Sequence, residues 1–223
     1  MTWQQHFTSS IGKKLVMAFT GLFLIGFLLV HVYLNAQIFL PDGREKFLAG
    51  AHFMGTNLVT RILEVGLVAG FLLHIIQGLM IWAQNSKRRA NGRYAVKAGN
   101  ATSKWYSRSM GLLGTLVLLF LIMHTSQFWI PNRSSQFMTG EEIDLYEKMR
   151  VTFQNPIVVA LYVIGCISLA FHLVHGFYSA FQTLGMGTKK YKAIIRNTGI
   201  AFSIIVTLAF AMMPLAFYFQ WIG

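Results

Sequence analysis

Residues 15–40 read LVMAFTGLFLIGFLLVHVYLNAQIFL and contain no charged side chain. An α-helix rises about 1.5 Å per residue, so a helix of this length crosses the roughly 30 Å of hydrocarbon in a lipid bilayer. The stretch therefore predicts a membrane-spanning helix. One histidine, His31, lies within it.

Four further stretches share the length and the apolar character of the first. The chain has 223 residues, of which 55% are hydrophobic and 12% are charged, whereas a soluble domain has about 25% charged residues. We therefore predict an all-α membrane protein of one domain, covering 1–223, with five transmembrane helices in a bundle. The four further predicted spans cover 61–84, 109–130, 156–184 and 199–222.

The composition also excludes several classes of protein. A disordered chain is excluded because the apolar content is too high. A single cysteine, Cys166, excludes a small domain stabilised by disulfides. The sequence has no CxxCH motif, which excludes covalent attachment of a c-type haem.

The charged residues divide unequally between the two sides of the predicted bundle. Thirteen basic residues and no acidic one lie on the side of the N-terminus, whereas the other side holds six basic residues and all seven acidic ones. The positive-inside rule then predicts a cytoplasmic N-terminus and an external C-terminus. We expect the chain to lie in the inner (cytoplasmic) membrane. The net charge of +12 thus comes from basic residues on one side of the membrane, which set the orientation of the chain. It does not indicate nucleic-acid binding. The thirteen are Lys13, Lys14, Lys87, Arg88, Arg89, Arg93, Lys97, Lys104, Arg108, Lys189, Lys190, Lys192 and Arg196.

Each of the first four spans contains a histidine: His31, His74, His124 and His172. Counted from the span ends at about 1.5 Å per residue, His31 and His124 lie in the outer half of the membrane and the other two in the inner half. We call His31 and His124 the outer pair, and His74 and His172 the inner pair. Two facing imidazoles fill both axial positions of a haem iron, an arrangement suited to electron transfer. The pattern predicts two non-covalent b haems; neutral histidines hydrogen-bonded between helices are the alternative.

Local sequence repeats follow the same pairing. Each histidine of the outer pair is the last residue of a similar segment: Phe27-Leu-Leu-Val-His31 and Phe120-Leu-Ile-Met-His124. The inner pair begins His74-Ile-Ile-Gln-Gly78 and His172-Leu-Val-His-Gly176, which place a glycine one turn after each histidine. A missing side chain there would let a flat macrocycle approach; close helix packing is the alternative explanation.

His175 is an alternative to His172, because it lies three residues later on nearly the same helix face. The spacing to Gly176 favours His172 as the iron ligand. His175 would then hydrogen-bond a haem propionate or a backbone carbonyl.

Taken together, these features resemble the diheme cytochrome b membrane anchor of succinate dehydrogenase and fumarate reductase, in its single-polypeptide form. The resemblance covers essentially the whole chain and rests on the segment from Thr20 to His31, on His74, His124 and His172, and on a fifth span without histidine. It implies that helices one and three share the outer haem, and helices two and four the inner haem. It also implies a flavoprotein and an iron–sulfur partner on the cytoplasmic face, and electron transfer to a quinone, commonly menaquinone.

Reduction of a quinone consumes two protons, so polar or titratable groups are expected near the outer pair. Glu64 has an alternative role, an ion pair with Arg61 three residues earlier, and His52 has the alternative of a surface residue. The candidates for the quinone site are His52, Glu64, Arg61, Asn35 and Gln127.

Two other functions compete with this interpretation. A cytochrome b subunit of a hydrogenase or formate dehydrogenase also uses bis-histidine haems, but concentrates its ligands on fewer helices. A transporter or channel with a histidine proton relay would normally have acidic residues deep in its spans, and this sequence has none there.

Three predictions concern the ends of the helices. Pro131 is expected to close the third span, and Pro156 to open the fourth as a first-turn proline. The segment 139–142, Thr-Gly-Glu-Glu, has the spacing of a capping box, and predicts the start of a short amphipathic helix that contains Tyr146 and Met149.

Overall fold

The computed structural model describes residues 9–91, 109–188 and 190–222, and within these ranges the regular structure is helical, with no β-strand. Five segments are long and apolar enough to cross a membrane, in agreement with the five predicted spans. They are Ile11–Phe39, Leu58–Lys87, Met110–Thr139, Pro156–Thr183 and Lys192–Tyr218. The helices are α1 (Ser10–Ala36), α2 (Gly43–Thr56), α3 (Leu58–Asn91), α4 (Met110–His124), α5 (Ile130–Thr139), α6 (Leu145–Thr152), α7 (Pro156–Thr183) and α8 (Lys192–Tyr218).

The last span starts earlier than the hydrophobicity of the sequence predicts. Helix α8 begins at Lys192, seven residues before the expected start at Gly199, and ends at Tyr218. The long basic side chains of Lys192 and Arg196 are compatible with this position, since their charged ends can reach the membrane surface from the end of a helix. Arg93, Lys97, Lys104, Arg108 and Lys189, which belong to the predicted basic side, lie outside the described residues.

The bundle is organised around α1 and α7. Helix α1 packs against α3, α7 and α8, while α7 also packs against α4 and α8. At one end of the bundle the short helices α2 and α6 cover an apolar cluster that includes Phe153, Tyr162 and Phe217. Elsewhere large apolar side chains remain exposed along the spans, as at Phe19 with 62% and Val65 with 72% exposure. Such side chains fit a lipid environment, where exposed apolar surface carries no penalty.

Pro131 does not close the third span, contrary to the prediction. The chain forms a π-helical turn over Thr125–Trp129, in which the N–H of Ile130 donates to the carbonyl of Thr125, and then continues as α5. Proline lacks a backbone N–H, and its ring clashes with the carbonyl four residues earlier. The wider turn before Pro131 relieves that clash, so the helix changes register and continues to Thr139.

The short amphipathic helix is confirmed, but its predicted cap is wrong. Thr139 is the last residue of α5, and Gly140 ends that helix with a φ of 76°, a conformation that favours glycine. The cap of α6 is Asp144, whose carboxylate accepts from the N–H of Glu147 at 2.9 Å. Both buried residues of α6, Tyr146 and Met149, are those expected from its apolar face.

Pro156 opens α7 as predicted. It occupies the first turn, where its missing N–H costs no helical hydrogen bond. The side chain of Asn155 caps this end by accepting from the N–H of Ile157 at 2.9 Å.

Candidate functional site

The four span histidines meet as two separate pairs inside the bundle. The ring centroids of His31 on α1 and His124 on α4 are 5.8 Å apart, with an angle of 86° between the ring planes. The centroids of His74 on α3 and His172 on α7 are 6.2 Å apart, at 65°. The structure therefore brings together the same partners that the sequence pairs by depth.

His175 occupies a different position from His172. It lies nearly one turn farther along α7 and is partly buried, whereas the ring of His74 contacts His172. This geometry favours His172 as the partner of His74.

The donor set of each pair suits a metal that brings its own ligands. Zinc sites use three or four protein ligands, but the described part of the chain holds no group of three or more His, Cys, Asp or Glu that could bind a metal ion. Haem iron takes four nitrogens from its porphyrin and needs two more. If one metal ion lay between the two rings of a pair, two metal–nitrogen bonds of about 2 Å and two ring radii of about 1 Å would separate the ring centroids by about 6 Å. The observed separations of 5.8 Å and 6.2 Å are close to this value.

One ring nitrogen of the inner pair is buried without a partner in the described part of the chain. Nδ1 of His172 is buried and has no hydrogen-bond partner among the described residues. A buried polar atom without a partner is costly in a protein interior. Hydrogen bonding between helices therefore does not account for this histidine, which weakens the alternative of four ordinary core histidines.

The glycines after the inner pair are not sites of tight helix packing. A Cβ atom on Gly176 would meet nothing within 4 Å, and one on Gly78 would meet the methyl carbon of Met17 at 3.8 Å. Gly199, by contrast, approaches the ring of Phe177 closely, with 2.7 Å from a Cβ to the ring. The open space beside Gly78 and Gly176 is compatible with a flat macrocycle.

Two more glycines, which the sequence analysis did not single out, lie against the inner pair. A Cβ on Gly21 of α1 would lie 3.6 Å from Cε1 of His74, and one on Gly114 of α4 would lie 3.8 Å from Cε1 of His172. Helices α1 and α4 therefore contribute small residues beside both rings of the inner pair. Each of these glycines lies on a different helix from the histidine that it faces. Its distance from that histidine along the sequence therefore gave no signal.

Aromatic rings surround the outer pair. Phe27 stacks on His31 with centroids 5.1 Å apart, and Phe120 stacks on His124 at 5.7 Å. Each phenylalanine precedes its histidine by four residues and so shares its helix face. The sequence repeat at the outer pair therefore corresponds to a repeated ring contact.

Two of the candidate quinone-site residues touch the outer pair or its neighbour. The side-chain amide of Asn35 donates to the carbonyl of His31 at 2.8 Å, and its nitrogen lies 3.5 Å from Nδ1 of that residue. Gln127 accepts a 2.7 Å hydrogen bond from the hydroxyl of Tyr162, which lies 3.4 Å from Nδ1 of His124. Sequence reasoning missed Tyr162, because the residue is on α7 and its spacing along the chain indicates nothing about His124.

Glu64 and Arg61 belong to an ion-pair cluster. The Glu64 carboxylate accepts from Arg61 at 2.8 Å, from Trp129 at 2.5 Å and from Arg133 at 2.7 Å. The side chains of Glu64 and Arg133 are 17% and 19% exposed. The cluster connects α3 to the π-turn and to α5, and confirms the ion pair of Glu64 with Arg61.

His52 lies on α2 beside a recess at the same end of the bundle. Its Nδ1 is 2.8 Å from the carboxylate of Glu142, which also accepts from Gln136 at 2.5 Å. The recess has a volume of about 280 Å³ and is lined in part by His52, Glu142, Asn132 and Asp144. His52 is therefore exposed, as the surface alternative requires, but it is hydrogen-bonded to an acid that sequence reasoning did not select.

No family model and no solved structure matches the chain. A curated protein is similar to it: the succinate dehydrogenase cytochrome b558 subunit of Bacillus subtilis (strain 168), which is 25% identical over 194 residues. The aligned region covers 86% of this chain and 88% of that protein. The chain is thus similar along most of its length to a succinate dehydrogenase cytochrome b subunit.

Proposed function

We propose that this chain is the membrane anchor and electron-relay subunit of a succinate:quinone oxidoreductase, that is, a succinate dehydrogenase or fumarate reductase of respiratory complex II. The observation that carries the proposal is the meeting of His31 with His124 and of His74 with His172, with one histidine from each of four helices. The similarity to a succinate dehydrogenase cytochrome b subunit supports the same class.

The distance between the inner pair and the outer pair is similar when it is measured along α1 and along α7. On α1, Thr20 contacts His74 and precedes His31 by eleven residues, which is about 16 Å along the helix. On α7, Tyr162 contacts His124 and precedes His172 by ten residues, about 15 Å. Two cofactor sites at this spacing would form a relay across the membrane, with one site towards each surface.

In this proposal, His31 and His124 hold the outer b haem and His74 and His172 hold the inner one. A b haem supplies a one-electron carrier when it is bound. With two imidazoles holding it, the bound haem would have no open position for oxygen or substrate. Gly78 and Gly176 leave space beside the inner pair, while Phe27 and Phe120 fix the ring orientation at the outer pair.

The unequal distribution of charge supports an orientation and a docking side. We propose that the basic end faces the cytoplasm and contacts the flavoprotein and iron–sulfur subunits as well as lipid headgroups. Electrons from succinate would enter at the inner pair and leave from the outer pair, and fumarate reduction would reverse the path.

The quinone, which the family resemblance suggests is menaquinone, would react at the outer end. Protons must reach it there, and His52 with Glu142 forms a hydrogen-bonded titratable pair in a recess at that end. Gln127 and Asn35 lie next to the outer pair and could orient a polar head group. Glu64 and Arg61 are assigned a structural role, because each carboxylate oxygen of Glu64 already accepts two hydrogen bonds.

A spectrum of the purified complex tests the proposal. We expect two non-covalent b haems per chain, both reduced when succinate is added through the flavoprotein partner. A colourless protein would favour the histidine relay of a transporter, and one haem per chain would contradict the two-pair assignment. Haems reduced by hydrogen or formate but not by succinate would favour the cytochrome subunit of a hydrogenase or formate dehydrogenase.

A further inference from the structure

The hydroxyl of Thr20 lies between a backbone carbonyl of its own helix and a histidine of the inner pair. Its Oγ1 atom is 2.7 Å from the carbonyl oxygen of Val16 on α1 and 3.1 Å from Nδ1 of His74 on α3. Both contacts fall within the range of ordinary hydrogen bonds.

Counting protons determines the direction of the two hydrogen bonds. A threonine hydroxyl has one hydrogen to donate and two lone pairs with which to accept. The Val16 carbonyl has no hydrogen, so the short contact requires Oγ1 to donate to it. The lone pairs of Oγ1 are then left for His74, whose Nδ1 must carry the hydrogen and donate it. His74 is consequently held as the Nδ1–H tautomer, and Nε2 keeps the lone pair that a metal ligand needs.

We propose that Thr20 is a positioning residue for His74: it fixes the tautomer and the ring orientation in which Nε2 binds the inner haem. The assignment rests on the proposed function, since it concerns the same haem site. Hydrogen bonding of the remote ring N–H is the usual way in which a protein orients an imidazole ligand and raises its basicity. The support comes from α1, the helix that itself carries an outer ligand, His31.

The other histidine of the inner pair has no equivalent support. Nδ1 of His172 is buried without a hydrogen-bond partner in the described part of the chain. Loss of the Thr20 hydroxyl would therefore leave the inner pair with neither imidazole oriented by a hydrogen bond at Nδ1. The contribution of Thr20 should accordingly be measurable on the inner haem alone.

The outer pair offers a matched control. Tyr162 donates its single hydroxyl hydrogen to Gln127 at 2.7 Å, which leaves its oxygen to accept from Nδ1 of His124 at 3.4 Å. Tyr162→Phe therefore removes the hydroxyl that has the equivalent role at the outer pair, and it leaves the surroundings of His74 unchanged.

The experiment compares redox titrations of the intact complex carrying Thr20→Val, Thr20→Ser or Tyr162→Phe. The inner haem is identified as the one that disappears in His74→Ala. In Thr20→Val we expect its midpoint potential to rise, because a less basic imidazole stabilises ferric iron less, and its affinity to fall by about tenfold to a hundredfold. Thr20→Ser should restore both properties, and Tyr162→Phe should leave the inner haem unchanged.

Two results of the redox titrations overturn the assignment. One is an inner-haem potential and affinity that are unchanged in Thr20→Val, and the other is a Thr20→Ser variant that behaves like Thr20→Val. If Thr20→Val does not assemble, Thr20→Ala serves as a second variant without the hydroxyl. If the wild-type chain binds no haem, the proposed function fails, and nitrogen-15 NMR of the full chain still decides the role of Thr20. An Nδ1–H tautomer of His74 that becomes a mixture in Thr20→Val supports it, and an Nε2–H tautomer in the wild type overturns it.

Discussion

The imidazole of His31 lies 5.8 Å from that of His124, with the two ring planes almost perpendicular at 86°. Phe27 stacks on the first ring and Phe120 on the second. Each imidazole is therefore held by an aromatic side chain of its own helix and faces an imidazole of another helix. If the pair holds a haem as proposed, removal of either histidine should weaken binding at that site and leave the other site intact.

Single histidine substitutions should separate the two haems. We expect His31→Ala or His124→Ala to lose the outer haem, and His74→Ala or His172→Ala to lose the inner haem, because each site would keep only one of the two facing imidazoles on which it is built. Each variant should retain one haem per chain in a pyridine haemochrome assay. His175→Ala is the control and should retain two. A His172→Ala protein that keeps both haems would transfer the ligand role to His175.

Gly176 should tolerate a methyl group but not a larger side chain. Because a Cβ there meets nothing within 4 Å, Gly176→Ala should assemble and bind both haems. Gly176→Leu should fill the open space and lose the inner haem, while the outer haem and the helix content measured by circular dichroism remain. Retention of both haems in Gly176→Leu would show that the macrocycle does not occupy this space.

Gly165, unlike Gly176, should not tolerate an added methyl group. It lies against the ring of Phe120, and an added Cβ would overlap that ring. Gly165→Ala should therefore lower the melting temperature of the whole bundle, as overpacking typically costs about 1–3 kcal/mol. A Gly165→Ala protein as stable as the wild type would mean that Phe120 moves freely, contrary to its stacked position on His124.

The spans and the histidine pairs could be predicted from the sequence because both depend on position along a single helix axis. Apolar length determines where a span lies, and the residue count from its ends gives the depth of His31 or His172. The register of α5 could not be predicted, because it depends on how the chain accommodates Pro131. The roles of Thr20 and Tyr162 depend on which helices become neighbours, and a residue count along one helix does not contain that information.

The pairing of Arg44 with Asp144 should make the docking of α6 sensitive to acid. The pKa of Asp144 is held below its ordinary value, first by the backbone N–H of Glu147 and then by the Arg44 guanidinium at 2.5 Å. A carboxyl whose folded pKa is lowered stabilises the fold above its unfolded pKa of about 3.9, and this contribution is lost as pH falls through the folded value. Wild type should therefore melt above Asp144→Asn at neutral pH.

The difference in melting temperature between wild type and Asp144→Asn should stay constant down to about pH 5 and shrink as the pH falls further. Asparagine can still cap α6, so the comparison isolates the charge. A difference that persists unchanged to about pH 2 would contradict the assignment, because this pH lies well below the unfolded pKa of about 3.9, where the contribution of the charge must already have fallen.

Glu64 should matter more for stability than for quinone reduction. Its carboxylate accepts from Arg61, Trp129 and Arg133, and both it and Arg133 are largely shielded from solvent. Glu64→Gln leaves Arg133 facing a neutral amide, and hydrogen bonds to charged groups are worth about 1.5–3 kcal/mol. We expect the free energy of unfolding to fall by about 2 kcal/mol, which corresponds to a melting temperature about 4–8 °C lower.

Glu141→Gln is the matched control for this substitution, because Glu141 is exposed and forms no ion pair among the described residues. An exposed change of this kind should stay within about 0.5 kcal/mol. Quinone reduction by Glu64→Gln, measured below its melting temperature, should have a KM close to that of the wild type. A normal melting temperature combined with a raised KM would reverse the assignment, since the carboxylate would then act on the quinone and the ion pairs would contribute little to the fold.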